Sequence, residues 1–422
     1  MGTEISLDID GMPITFSKNS RGIDHGELFQ EVDRTWNYSE ETRSVSPIGD
    51  DDGTDGMGRA FCAPLQKVVP RLELLGFTLE RLKRDYQSYS KAWHESEDIP
   101  LQDLMDFSEY LSFVTAYPLS SLDDTFVSSV SPEGAEAKGR FQDESLLKRI
   151  PGYDPFEIHA YSEKSFFSSI IEILHPYSVL RLLAENKENL DANVVWHYGP
   201  LVEAGWAEEN EFVPCAHRNQ TFLIATEGSS DTHILKRAIK VLRPEIKDFF
   251  RFIDVSESHP FSGTGSLVKF AEGLKKIDVH NQIVFVLDND AEGYDAFSKI
   301  SAMNLLPNMR VMMLPELEEF KTFPCIGPEG ENLADINKRA AAIECYLDLE
   351  MEERPPAKVR WTNYKKDSDF YQGSLEHKET YMRYFLELIQ ETSDAESYNL
   401  SKLNLVIDAL ENECTLLAST QL

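Results

Sequence analysis

Apolar and polar positions alternate at the start of the chain. Ile5, Leu7 and Ile9 are spaced by two, Asp10-Gly11-Met12-Pro13 interrupts them, and Ile14 and Phe16 resume. A period of two on either side of a turn sequence predicts a β-hairpin. Helical spacing follows at 70–92, 101–114 and 164–186, the first with Leu72, Leu74, Leu75, Leu79, Leu82 and Tyr86 on one face. Residues 44–58, rich in Ser, Asp and Gly, read as a loop or link. Val194-Val195 reads as a strand, and the Trp196-His197-Tyr198 that follows is expected in the core.

From residue 221 the pattern changes. Short apolar runs at 221–225, 250–255, 283–288 and 309–314 read as buried strands. Between them, 231–242, 266–276 and 291–302 have helical spacing; Ile234, Leu235, Ala238, Ile239 and Leu242 form the first stripe, with Ser229, Ser230 or Asp231 as its cap. Alternating strands and helices with short links predict right-handed βαβ units and a parallel sheet. Further on, 339–347 predicts an alanine-rich helix, and 376–418 has helical spacing at Tyr381, Tyr384, Phe385 and Leu388, then at Leu403, Val406, Ile407 and Leu410.

Two of the apolar runs end in acid. Phe222-Leu223-Ile224-Ala225-Thr226 leads into Glu227-Gly228, and Ile283-Val284-Phe285-Val286-Leu287 leads into Asp288-Asn289-Asp290. Open α/β sheets bind ligands at the carboxyl ends of their strands. If the two strands are neighbours, Glu227, Asp288 and Asp290 converge. Three ionised carboxylates crowded together raise one another's pKa and call for a cation, and carboxylate oxygens are the hard ligands Mg²⁺ prefers. The bland alternative is that these acids are turn and cap residues of an ordinary flavodoxin-like sheet.

A strand ending in Glu-Gly followed by a strand ending in Asp-x-Asp resembles the Toprim domain of topoisomerases, bacterial primases and OLD-type nucleases. The resemblance covers about 221–315. Asp231, four residues after Glu227, and the Ser- and Gly-rich link 262–266 are similar to the OLD branch. The opening, with Gly2-Thr3-Glu4-Ile5-Ser6, Lys18-Asn19-Ser20-Arg21-Gly22, His25-Gly26 and Leu28-Phe29-Gln30, resembles a module at the N-terminus of bacterial proteins that carry HEPN or Toprim effectors and are thought to act against phage. An HEPN nuclease would show Arg-x4-6-His. Arg21 and His25 have three residues between them and Arg251 and His259 have seven, so the Toprim is the expected effector.

The resemblance implies metal-assisted phosphodiester cleavage. Asp288 and Asp290 would hold one Mg²⁺ (or Mn²⁺), with Glu227 as a ligand or as the general acid or base. Asp231 would help to hold a second ion, together with a further acid after the last Toprim strand, for which Glu344 is the candidate. A lysine near the scissile phosphate is also implied; Lys378, Lys365 and Lys366 are the candidates. Asp254 would stand behind the ligands, and Glu292 would decorate a helix N-terminus. A topoisomerase would also need a nucleophilic tyrosine on a DNA-binding domain, and a primase a zinc module or template-binding domain; neither is evident.

Charge at first opposes a nucleic-acid substrate. The 422 residues carry a net charge of −32, of which −4 falls in 221–330, −8 in 331–422 and −20 in the first 220. One segment, 354–378, is locally basic, and Arg360, Trp361, Lys365 and Lys366 combine cations with an aromatic ring as single-strand binders do. The rival reading is a solvated edge strand. Five scattered cysteines, with no Cys-x-x-Cys pair, indicate neither a zinc site nor a disulfide framework and fit a reducing cytoplasm. No apolar run is long enough to span a membrane. The Asp run at 50–55 lacks the EF-hand glutamate at loop position 12. Met1-Gly2-Thr3-Glu4-Ile5-Ser6 fits a myristoylation pattern only formally.

The expected architecture is α/β: a mixed α+β N-terminal domain over 1–217, a Toprim domain over 218–330 with a parallel sheet flanked by helices, and a mainly helical extension over 331–422 that completes the site or forms an oligomer interface. The expected function is a DNA endonuclease in anti-phage defence. A tRNA-cleaving toxin would use the same residues, and a non-catalytic sensor working with a partner protein is the rival from another class. A homo-oligomer is a further expectation.

Overall fold

The computed structural model describes residues 2–39, 44–45, 56–127, 137–158, 160–253, 263–277, 279–328, 330–351, 355–365, 370–393 and 398–421. Most of the anticipated 44–58 loop, Asp254, Ser262 and Lys366 lie outside them, as do the side chains of Ser44, Val45 and Lys365. The chain divides into two compact units, Met1–Ala216 and His217–Leu422.

In the first unit the expected hairpin forms from β1 (Glu4–Ile9) and β2 (Met12–Lys18). Asp10 and Gly11 take positive φ values of 47° and 71° at the turn, a conformation glycine adopts without penalty. With β3 (Arg34–Thr35), β4 (Ala60–Pro64) and β5 (Asn193–His197) the hairpin makes an antiparallel sheet of order β2-β1-β5-β4-β3. Trp196 and Tyr198 are buried as expected, packed with Phe61 and Phe212; the Tyr198 and Phe212 rings stack at 4.4 Å.

The helical stretches are broken where the backbone demands it. The run expected at 70–92 becomes α1 (Leu65–Leu74) and α2 (Leu79–Glu97), separated by Gly76 at φ 87°, with Thr78 capping the second. The 101–114 run is helical as α3 (Phe107–Thr115), started by Asp106, whose carboxylate accepts from Glu109 N–H. The 164–186 run becomes α4 (Glu163–Ile171) and α5 (Pro176–Leu183), with Pro176 at the first position of α5. This apolar pair is bent by 115° and buried; among the described residues no single helix is long and apolar enough to cross a membrane.

The second unit is built on a four-stranded parallel sheet. Its strands are β6 (Phe222–Ala225), β7 (Phe250–Phe252), β8 (Gln282–Leu287) and β10 (Met309–Met313), in spatial order β10-β8-β6-β7. A two-residue strand, β9 (Asn289–Asp290), follows β8 directly. The connecting helices are α6 (Ser229–Leu242), α7 (Thr264–Ile277) and α8 (Ala291–Ser301). Every residue of β8 is buried, as expected for a strand covered on both faces. Leu267 and Ala271 of α7 and Ala296 and Ile300 of α8 pack against Ile283, Phe285 and Leu287.

The described residues of 331–422 carry two α-helices, α9 (Lys378–Leu388) and α10 (Ser401–Gln421), together with strands, of which the sequence suggested only an edge strand within 354–378. A second sheet contains β11 (Phe323–Gly327), β12 (Gly330–Ala334), β14 (Val359–Lys365) and β15 (Phe370–Leu375), in order β12-β11-β14-β15. The alanine-rich helix expected at 339–347 is not formed. Ala340 and Ala341 are instead a short strand, β13, paired antiparallel with β9, followed by a 3-10 turn over Ile343–Tyr346. Helix propensity is a weak prior, and here strand pairing outweighs it. Helix α10 packs along α6, β8 and β10, fastened by ion pairs from Arg243 to Asp408 and Glu411 and from Arg310 to Glu413.

Candidate active site

The connections of the parallel sheet leave β6 and β8 in opposite directions. From β6 the chain goes to β7 at one edge, and from β8 it goes to β10 at the other. The crevice between their carboxyl ends is the topological switch point, where open α/β sheets place ligands. Glu227 stands at the end of β6 and Asp288 at the end of β8.

The two are in contact. Glu227 Oε1 accepts from the Asp288 backbone N–H at 3.0 Å, and Asp288 Oδ1 accepts from Ile343 N–H at 3.0 Å. The second bond brings in the 3-10 turn that carries Glu344, which is 2% exposed. Asp290 caps α8: its Oδ1 accepts from the N–H groups of Glu292 and Gly293 at 2.9 and 2.7 Å. Gly293 is required there, because a Cβ would lie 2.1 Å from the Asp288 carbonyl oxygen. Gly228 meets no such obstacle; it is the N-cap of α6, and its N–H donates to Asp231 Oδ2 at 2.9 Å. Ser230 Oγ donates to Asp231 Oδ1 at 3.2 Å. The N-termini of α6 and α8 therefore both lie at the acids, where their dipoles favour negative charge.

Those dipoles do not offset the crowding. Burial and then Asp290 push the Glu227 carboxyl up to about 8, and burial and then Glu344 push Asp231 up to about 6. Asp288 is raised well above the usual aspartate range by burial, then by Asp231, Glu227, Asp290 and Glu344. Asp290 is raised by burial despite its hydrogen bonds from Gly293 and Gln372. Lys378, at the start of α9, has its Nζ 3.6 Å from Glu344 Oε1. Burial would lower this ammonium, but Glu344, Asp288 and Asp231 hold it above the usual lysine value.

Glu227, Asp231, Asp288, Asp290, Glu344 and Lys378 thus come together. The basic segment is split. Arg360, in β14, pairs with Glu376 at 2.6 Å and is largely exposed. Trp361 packs over glycines: a Cβ on Gly327 would meet its ring at 3.1 Å and one on Gly373 at 2.8 Å. The exposed ring pair on this hairpin is Tyr364 with Tyr371, at 5.2 Å.

Two residues of the site have roles that the sequence reading did not assign. Gln372 of β15 donates from Nε2 to Asp290 Oδ2 at 2.6 Å and accepts at Oε1 from Ala291 N–H at 3.0 Å. Asn289 is fully buried. Its Nδ2 donates to Asn337 Oδ1 and to the Tyr346 hydroxyl at 3.1 and 3.2 Å, and its Oδ1 accepts from Lys338 N–H at 2.8 Å. The middle residue of Asp-Asn-Asp faces inward and clamps 337–346 while its neighbours face the crevice. The single available signal was the alternation of side chains along an extended segment.

The donor set suits a hard divalent cation. It is all carboxylate, and its ionisation is suppressed by burial and then by mutual repulsion, which a cation would relieve. One oxygen each of Glu227 and Asp288 is engaged by a backbone N–H. Among the described residues, no three His, Cys, Asp or Glu side chains are already arranged as a metal cage.

Comparison with known proteins bears on the other end of the chain. Neither a curated protein nor a solved structure matches the chain. A family model described as HEPN/Toprim N-terminal domain 1 matches residues 1–220, and that description points to a nuclease-related or defence function. With more than half of its length matched, the chain belongs to the HEPN/Toprim N-terminal domain 1 family.

Proposed function

We propose that the second unit is a Toprim centre nearest the OLD-type branch, and that the chain is a metal-dependent endonuclease that cleaves phosphodiester bonds in DNA as an anti-phage effector in a bacterium. The observation that carries this reading is the convergence of Glu227, Asp288 and Asp290 at the switch point of the parallel sheet, tied together by the 3.0 Å bond from Asp288 N–H to Glu227. Glu227, Asp288 and Asp290 would hold Mg²⁺ or Mn²⁺, with Asp231 and Glu344 beside them. When bound, such an ion supplies an activated water and neutralises charge on the scissile phosphate. The Lys378 ammonium would face a phosphate oxygen. Gln372 holds Asp290 in place.

The β14–β15 hairpin would guide the strand, with Arg360 on the backbone and the exposed Tyr364–Tyr371 pair stacking bases. A ring pair of this kind suits single strands and loops, which keeps the tRNA-cleaving alternative open. Its reaction uses the same side chains. A cytoplasmic setting, a homo-oligomer and a partner protein of a defence system complete the proposal.

The test is cleavage of plasmid DNA, single-stranded DNA and total tRNA by the full chain, with Mg²⁺ or Mn²⁺ and with EDTA, beside Asp288→Ala. Cleavage that needs metal and disappears in the variant is expected, and the substrate cut decides between DNA and RNA. Cleavage unaffected by EDTA or by the variant would sink the reading. Silence on every substrate would favour the non-catalytic sensor.

A further inference from the structure

The acids of the site fall into two lobes joined by Asp288. Glu227 and Asp290 form one: the largest charge acting on Glu227 is that of Asp290. Asp231 and Glu344 form the other: the largest charge acting on Asp231 is that of Glu344. Asp288 feels both.

The lobes differ in whether a cation already stands beside them. In the Glu227 lobe, Glu227 and Asp288 each give one oxygen to a backbone N–H, and both Asp290 oxygens are engaged, by the Glu292 and Gly293 N–H groups and by Gln372. In the Asp231 lobe, both Asp231 oxygens are engaged, by Gly228 N–H and by the Ser230 hydroxyl. Glu344 Oε1 faces the Lys378 ammonium at 3.6 Å, and Glu344 is buried. The second lobe therefore holds a cation already. The far end of α9 is tied to α6, where Arg237 donates to the Leu386 and Ile389 carbonyls and Lys240 to the Gln390 carbonyl, while the Lys378 side chain itself is half exposed.

We infer that the Lys378 ammonium takes the place of a second divalent ion, so that this centre binds one metal in the Glu227–Asp288–Asp290 lobe and none between Asp231 and Glu344. The inference rests on the metal-dependent reading above. It makes Lys378 a determinant of metal number. A cation fixed on a side chain cannot be exchanged or removed by chelation, so the Asp231 lobe keeps its neutralising charge in every metal state.

The test counts ions rather than products. Mn²⁺ is titrated into the full chain and free Mn²⁺ is followed by electron paramagnetic resonance, for the native chain, Lys378→Met and Lys378→Arg. Circular dichroism checks that each variant is folded. The expected result is one ion per chain for the native protein and Lys378→Arg, and two for Lys378→Met, which keeps length but loses charge. Two ions bound by the native chain would overturn the inference while leaving the metal reading intact, and this outcome needs no variant to fold. One ion in a folded Lys378→Met would also overturn it. No ion bound by the native chain would fail the metal reading itself, and the inference with it.

Discussion

The Asp288 side chain accepts a hydrogen bond from the Ile343 backbone N–H at 3.0 Å, while its own N–H donates to Glu227. One residue thus joins the end of β8 to the end of β6 and to a turn 55 residues downstream. The pairing of Asn289 and Asp290 with Ala341 and Ala340 fixes the register of that turn. Glu344 reaches the crevice through this pairing, although it belongs to none of the βαβ units.

Asp288→Asn separates the electrostatic role of this residue from its structural one. The amide oxygen can still accept from Ile343 N–H, so the framework is kept while one charge leaves a crowded set. The metal-free variant should melt at a higher temperature than the metal-free native chain. The rise in melting temperature on adding Mg²⁺ should disappear; for the native chain, ligand at 100 times its dissociation constant stabilises by about 2.7 kcal/mol. Thermal melts of both proteins with and without Mg²⁺ check this. An unchanged Mg²⁺ response would remove Asp288 from the ligand set.

Gln372 supports Asp290 from outside the parallel sheet. Removing the amide in Gln372→Ala frees Asp290 Oδ2 to rotate. Residues that orient metal ligands typically contribute about 10–100-fold in metal affinity or activity, and a loss of that size in Mn²⁺ affinity is expected with little change in melting temperature. Gln372→Glu should be worse, since it adds a carboxylate beside Asp290. Calorimetric Mn²⁺ titration of the two variants decides it; native affinity in Gln372→Ala would show that Asp290 holds its position alone.

The parallel sheet and its acids were legible because they depend on local pattern. A run such as Ile283–Leu287 is apolar throughout because both faces are covered, and the acids follow at once. The rest depends on tertiary pairing. Ala340-Ala341 looks helical by propensity and becomes strand because Asn289-Asp290 lies opposite. Glu344 is singled out by the Toprim resemblance and not by its own segment, whose many acids look alike; it is buried by the turn that Asn289 clamps. Trp361 reads as a stacking platform, and the structure packs it over Gly327 and Gly373, whose missing side chains make room for it. Nothing local to Gln372 connects it to an aspartate 82 residues earlier.

The raised carboxyls give metal-free stability a definite pH slope. A carboxyl that holds its proton more tightly when folded stabilises the fold below its unfolded pKa, and this stabilisation is lost as pH rises through the folded value. For Glu227 the window runs from its ordinary 4.5 to about 8, and for Asp231 from 3.8 to about 6. The metal-free melting temperature should fall between about pH 5 and about pH 8, more steeply in the native chain than in Glu227→Gln. Saturating Mg²⁺ should flatten the native slope, because the ion replaces the proton. Parallel slopes in the native chain and Glu227→Gln would show that Glu227 carries no excess affinity for its proton.

Asn289 offers the sharpest division between framework and chemistry, because it lies between two acids of the site and touches neither the crevice nor solvent. Asn289→Ala leaves Lys338 N–H without its acceptor and removes a donor from Asn337 and from Tyr346. Buried polar groups deprived of partners cost about 1–3 kcal/mol, and in a unit of this size each kcal/mol lowers the melting temperature by about 2–4 °C. Asn289→Asp keeps the acceptor for Lys338 N–H but replaces the donor with an oxygen facing Asn337 Oδ1. Its destabilisation should therefore deepen as pH rises and the new carboxyl is forced to ionise in a buried place. Melting curves of the two variants across pH distinguish a polar clamp from simple packing: the Ala variant should show a constant offset and the Asp variant a growing one. Equal offsets at every pH would mean that the hydrogen bonds of Asn289 do not hold the 337–346 segment against Asp288.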